Sequence, residues 1–143
     1  MIYSTIRLEN VYRGLDDHQE SIFVSLDISK AFDRVWHEGL IHKLKQNGIC
    51  GPLLAWFTSY LTNRRQRVVI SGQTSTYQNL YAGVPQGSIL GPFLFLVYVS
   101  DMTKDLKTQI HQFADDINIL ETFTDPVVAV SNINHDLNLL YHW

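Results

Sequence analysis

The cleanest pattern in the chain is the alternation through Ser21-Ile-Phe-Val-Ser-Leu-Asp27. Ile22, Val24 and Leu26 fall on one face and Phe23, Ser25 and Asp27 on the other, the period-two pattern of a β-strand. The strand is expected to rest its apolar face on helices and to end in a carboxylate on the opposite face. Before it, residues 2–13 carry a weak helical periodicity. After it the period lengthens: Leu40, Ile41 and Leu44 recur at helical spacing over residues 37–47, and Gly48 supplies the stop. Gly51-Pro52 opens a second helix with proline in its first turn, and its stripe is Leu53, Leu54, Phe57, Tyr60 and Leu61.

Arg67–Ile70 and Thr76–Tyr81 read as two strands joined through Ser71-Gly72-Gln73, and Gly83–Pro92 as a turn-rich loop. From Pro92 to about Met102 the chain is apolar all round, which predicts a helix buried on most sides. Ile110–Ala114 and Ile117–Leu120 are two short strands separated by Asp115-Asp116. Asp125-Pro126 then starts a last helix with the stripe Val127, Val130, Ile133, Leu137 and Leu140. A sheet covered on one face by helices satisfies this order, so the expected class is α+β. No repeat, linker or low-complexity tract interrupts it, and residues 1–143 are expected to form one domain.

Composition changes the picture little. Hydrophobic residues make up 45% and charged residues 17% of 143, as in ordered globular proteins. The single cysteine, Cys50, excludes an intrachain disulfide and a thiol-rich metal site, and the histidines lack zinc-ligand spacing. No signal peptide is legible, and the longest apolar run, Phe93–Val99, falls far short of the ~20 residues that span a bilayer. An intracellular location and no membrane partner are therefore expected. The net charge of −3 lacks the basic excess usual in proteins that track phosphates, although Arg64, Arg65 and Arg67 form a tight local cluster.

The distinctive chemistry lies in carboxylates. Two adjacent like charges at a hairpin tip repel, and a divalent cation over them offsets that repulsion. If the strands ending in Asp27 and Ala114 are neighbours in one sheet, Asp27, Asp115 and Asp116 can converge. Such a cluster suits phosphoryl transfer through two magnesium ions about 3.5–4 Å apart. Singly, each aspartate reads better as a helix cap or a solvated turn.

In combination the motifs are specific. Leu26-Asp-Ile-Ser-Lys-Ala-Phe-Asp-Arg-Val-Trp-His37 resembles the first catalytic motif of the reverse transcriptases of non-LTR retrotransposons. Gly83-Val-Pro-Gln-Gly-Ser-Ile-Leu-Gly-Pro92 resembles their second, and Phe113-Ala-Asp-Asp116 their third. Leu61-Thr-Asn-Arg-Arg-Gln-Arg-Val-Val and Phe93-Leu-Phe resemble the connecting segments, so the likeness runs from about Ile22 to Trp143. It implies a right-hand polymerase palm, a ferredoxin-like antiparallel sheet backed by helices, with part of the fingers.

It further implies that Asp27, Asp115 and Asp116, with the carbonyl of Ile28, hold two Mg²⁺ ions, Mn²⁺ being a possible substitute. Phe32 would close off the sugar 2′ position, excluding ribonucleotides by clash. Gln86, with Gly87 beside it, would contact the incoming deoxynucleoside triphosphate. The implied reaction extends a DNA primer on an RNA template, with Arg64, Arg65 and Arg67 on nucleic-acid phosphates. Asp33 is expected to cap or stabilise the helix after the first motif; His37, His42 and Cys50 are expected to be structural.

The resemblance also implies upstream fingers and a downstream thumb, which are not recognised here. A fragment is therefore expected, one that is poorly soluble or self-associating when isolated. The other readings are a catalytically inactive relic or nucleic-acid-binding domain that keeps the fold, and a metal-dependent hydrolase. The last leaves Phe32 and Gln86 without a role.

Overall fold

The computed structural model describes residues 19–143, so the helix expected over residues 2–13 lies outside the described residues. Helices and antiparallel sheets are mixed along the chain, confirming the α+β class. Its described residues divide into two compact units, one of residues 19–28 with 101–143 and one of residues 29–100.

The first unit is built on a three-stranded antiparallel sheet of β1 (Glu20–Asp27), β6 (Gln109–Phe113) and β7 (Asp116–Phe123), in the order β1-β7-β6. The strands ending in Asp27 and Phe113 are thus not neighbours, because β7 lies between them. The alternation of β1 is borne out. Leu26, Val24 and Ile22 pair with Ile117, Ile119 and Glu121 on one face, and Asp27, Ser25 and Phe23 pair with Asp116, Asn118 and Leu120 on the other. The long α4 (Pro126–His142) packs on β7. It begins as expected, Asp125 accepting from the Val127 N–H at 2.9 Å.

Its buried face is the expected one only in part. Ile133 is buried and Leu137 and Leu140 are half-buried, as expected, but Val127 and Val130 are exposed, and Ala129 and Asp136 are buried in their stead. Asp136 is 0% exposed and clamps the segment entering β6. Its Oδ2 accepts from the Thr108 hydroxyl at 2.7 Å and the Thr108 N–H at 2.8 Å, and both oxygens accept from the Lys107 N–H at 3.0 Å. Burial alone would raise the Asp136 pKa. The bonds from Lys107 and Thr108, with the nearby His135 charge, outweigh it and hold the carboxyl below its ordinary range.

In the second unit α1 (His37–Gln46) packs on α2 (Gly51–Leu61) and on α3 (Leu90–Val99). Leu40, Leu44, Phe57, Leu61, Leu94, Phe95 and Val99 are the buried apolar side chains of these three helices. The helix α3 is not enclosed: Phe93 and Leu96 are about half exposed, so its uniform apolarity did not imply burial all round. Between α2 and α3 runs an interrupted hairpin. Its base pairs β2 (Arg64–Gln66) with β5 (Gln78–Leu80), and its tip pairs β3 (Val69–Ile70) with β4 (Gln73–Thr74) around Ser71-Gly72. The expected strands Arg67–Ile70 and Thr76–Tyr81 are thus shortened to Val69–Ile70 and Gln78–Leu80, and they pair with Gln73–Thr74 and Arg64–Gln66 rather than with each other. The Ser75 hydroxyl accepts from the Val68 N–H at 2.9 Å, replacing a ladder bond where the pairing lapses. No helix among the described residues is long and apolar enough to cross a membrane.

Candidate active site

Asp27 ends β1 and Asp116 begins β7, and the register sets them directly opposite each other. Cross-strand partners project from the same face, so both carboxylates share one face at one end of the sheet. Asp115 adjoins them in the turn. The two-residue loop expected at Asp115-Asp116 sits one residue earlier, at Ala114-Asp115, closed by the Phe113–Asp116 pair. Only Ala114 of the two has positive φ, at 52°, so the double positive-φ hairpin geometry is not adopted. The displacement follows from pairing: Asp116 has a ladder partner on both sides, Asp27 and Phe113, and belongs to the strand.

Asp27 and Asp116 are exposed and Asp115 is half-buried. Among the described residues none of the three has a side-chain hydrogen-bond or ion-pair partner. Like charges directly opposite each other destabilise a ladder, and hard carboxylate oxygens suit Mg²⁺ or Mn²⁺. The donor set therefore fits a divalent cation over the Asp27–Asp116 pair. Among the described residues no three His, Cys, Asp or Glu side chains are already gathered as a metal site, so what marks the place is the Asp27–Asp116 register with Asp115 adjoining it. His111 shares the face of Asp27, opposite Asn118, and its buried Nε2 has no hydrogen-bond partner among the described residues. Nothing in the sequence marked it.

A second constellation lies within residues 29–100. Phe32 stands in a short 3₁₀ turn, Ala31–Asp33, and packs on Phe95 with ring centroids 4.7 Å apart. It walls an open cavity of about 400 Å³ with Pro85, Gln86, Gly87, Ser88 and Ile89. The loop is laced to the chain after Phe32. The Val84 N–H donates to the Phe32 carbonyl and the Gly83 N–H to the Val35 carbonyl, each at 2.8 Å. The Gly83 carbonyl accepts from His37 Nε2 at 2.8 Å and from Arg64 Nη1 at 3.2 Å. The Ser88 hydroxyl donates to the Pro85 carbonyl and accepts from the Gly91 N–H, turning the loop into α3.

Asp33 does not cap α1. Its Oδ1 accepts from Gln86 Nε2 at 2.8 Å. A carboxylate only accepts, so the amide nitrogen of Gln86 must face Asp33 and its oxygen points away. This pairing joins residues far apart in sequence, and no local signal could have found it.

Gly83 is the tightest point of the loop. Its φ is +88°, and an added Cβ would stand 2.9 Å from the Asp33 carbonyl oxygen and 3.0 Å from the Asp33 Cα. Gly87 has φ +79° but open space around it. Gly83→Ala is therefore expected to cost at least about 3 kcal/mol, from strain plus a backbone clash, and Gly87→Ala about 1 kcal/mol from strain alone. Urea unfolding midpoints of the two variants check the difference.

The family model described as Reverse transcriptase (RNA-dependent DNA polymerase) matches residues 4–136. A probable RNA-directed DNA polymerase from transposon X-element of Drosophila melanogaster is 41% identical over 115 residues, 77% of this chain and 13% of that protein. The corresponding protein from transposon BS of the same fly is 34% identical over 94% of this chain and 16% of its own length. The RNA-directed DNA polymerase from its mobile element jockey is 34% identical over 91% and 15%. The chain thus spans roughly a seventh of the length of these relatives. With its three motifs in order and nearly all of its length matched, the chain belongs to the reverse transcriptase family, on the non-LTR retrotransposon branch.

Proposed function

We propose that this chain supplies the carboxylates and the nucleotide-binding loop of an RNA-directed DNA polymerase, as the palm and part of the fingers of a right-hand fold. One observation carries the proposal. Asp27 and Asp116 oppose each other in register, with Asp115 beside them, unpartnered and at one end of an antiparallel sheet. A carboxylate pair so placed has no structural task among the described residues, whereas nucleotidyl transfer needs such donors.

Asp27, Asp115, Asp116 and the Ile28 carbonyl would hold the divalent ions. When bound, these ions supply activation of the primer hydroxyl and charge compensation for the triphosphate. Phe32, held against Phe95, sets a rigid wall for the sugar. Gln86 offers its amide oxygen to the nucleotide, because Asp33 occupies its nitrogen, and Gly87 lets the backbone approach. Arg64, Arg65 and Arg67 are the candidate contacts for the phosphates of an RNA template and a DNA primer.

The test is primer extension on an RNA template with Mg²⁺. It compares the chain with a chimera in which it replaces the matching segment of the jockey polymerase. Metal-dependent, template-directed addition of deoxynucleotides by the chimera is the expected result. A folded chimera that binds primer–template without extending it would sink the polymerase reading and leave a binding domain. Phosphoester cleavage without templated addition would point to a hydrolase.

A further inference from the structure

The overall charge of −3 conceals a segregation. Residues 29–100 hold seven of the eleven Lys and Arg but only two of the fourteen acidic residues, a net charge of +5. No Asp or Glu occurs between Glu38 and Asp101. Within this unit the period of β2 separates Arg64 from Arg65, and Arg67 follows the strand. Arg64 turns to the Gly83 carbonyl and lines a polar cavity with Gln66 and Leu80. Arg65 and Arg67 are exposed on the other face, and both guanidinium groups lie over the ring of Tyr77, at 5.4 and 4.9 Å from its centroid.

That face carries more than charge. Tyr77 is 55% and Tyr81 81% exposed, an unusual display of two rings flanking one short strand, β5. Four residues of extended chain set them about 13 Å apart. Between them Asn79 donates its amide to the Tyr81 hydroxyl at 3.3 Å. Asn63, Arg65, Asn79 and Tyr81 line an open cleft of about 370 Å³. The surface thus combines rings able to stack on bases, amides able to meet base edges, and guanidinium groups able to meet phosphates.

We propose that the outer face of this hairpin, formed by Arg65, Arg67, Tyr77, Asn79 and Tyr81, is a binding platform for single-stranded nucleic acid. Unpaired bases expose the faces that tyrosines stack on, whereas a duplex hides them. Charge complementarity favours a polyanion over a second copy of this acidic chain. The platform deepens the polymerase reading and rests on it only for the source of the strand: a template RNA or a DNA strand. Arg64, turned to Gly83 on the opposite face, is not part of this platform, and its remaining N–H groups stay with the phosphate contact proposed above.

Binding is measurable without nucleotide, metal or turnover, so its failure and that of the polymerase reading are separable. The probe is fluorescence anisotropy of the full chain with labelled oligo(rU), oligo(dT) and a duplex of equal length, over a range of potassium chloride. Single strands are expected to bind several-fold more tightly than the duplex. Tyr77→Ala and Tyr81→Ala are each expected to weaken single-strand binding about tenfold, with Phe in either place retaining it. Replacing Arg65 and Arg67 together by Ala should reduce the slope of log affinity against log salt by about 1.4, two phosphates at ~0.7 each. Lys45→Ala, the same charge change as Arg65→Ala but away from the hairpin, should stay within twofold. Tighter binding of the RNA or the DNA oligomer identifies the strand, and either supports the platform. Equal duplex binding, indifference to loss of both tyrosine rings, or a Lys45→Ala loss as large as that from Arg65→Ala would overturn it.

Discussion

Asp115→Ala, introduced into the jockey chimera, is expected to lower the rate of templated nucleotide addition by roughly a thousandfold or more. Charge compensation by metal-bound carboxylates contributes several kcal/mol to such a reaction, and each 1.36 kcal/mol is a factor of ten. The fold should hardly notice the change. Asp115 lies in a turn, is half-buried and has no side-chain partner among the described residues, so removing it leaves no orphaned donor. Asp27→Ala should behave alike, and it also relieves the opposition between Asp27 and Asp116. Stability should therefore be unchanged or slightly higher while activity disappears. Asp125→Ala is the matched control. It removes an exposed helix cap, expected to cost about 1 kcal/mol of stability without touching the rate. Single-turnover extension assays and thermal unfolding of the same samples check all three. Retention of activity in Asp115→Ala would remove that residue from the reaction.

The largest effect on stability is expected at Asp136. Its carboxylate is completely buried and satisfies the Lys107 and Thr108 N–H groups and the Thr108 hydroxyl. Asp136→Ala strands those donors, and the loss is expected to be about 3–5 kcal/mol, on the order of 10 °C in melting temperature. Thr108→Val, which removes one of the bonds, should cost about 1 kcal/mol. The pH dependence follows from the direction of the shift. Because the folded Asp136 pKa lies below its ordinary value of 3.8, the unfolded chain takes up this proton first as the solution is acidified. The stability it contributes is fully present above the ordinary value and is lost as pH falls from there through the lower folded value. Asp136→Ala should therefore melt far below the parent chain at pH 6. In acid the gap should narrow below pH about 4. A gap independent of pH would show that the clamp acts by packing and not by charge.

Some of this protein could be read from its sequence because the signal lies in consecutive residues. The alternation Ile22-Val24-Leu26 is a property of one strand, and it placed Asp27 on the face opposite the core before any partner was known. Gly51-Pro52 and Asp125-Pro126 start their helices through local backbone chemistry, as proline cannot donate and aspartate can accept. The motifs around Asp27, Gln86 and Asp115 are short and contiguous, so family membership was legible as well.

What the tertiary structure decided is pairing, which no local pattern encodes. It inserted β7 between the two strands that were expected to touch, and so chose Asp116 as the partner of Asp27. It drew Asp116 into the ladder and moved the turn back by one residue. It buried Asp136 on a helix whose valines, Val127 and Val130, looked the better core, because Lys107 and Thr108 offered their donors there. It also turned Asp33 from a helix cap into the partner of Gln86, and sent Arg64 one way and Arg65 the other. The residue types were given by the chain itself. Their partners depended on which surfaces met when segments tens of residues apart were packed together, since burial and hydrogen-bond satisfaction are settled only by that packing.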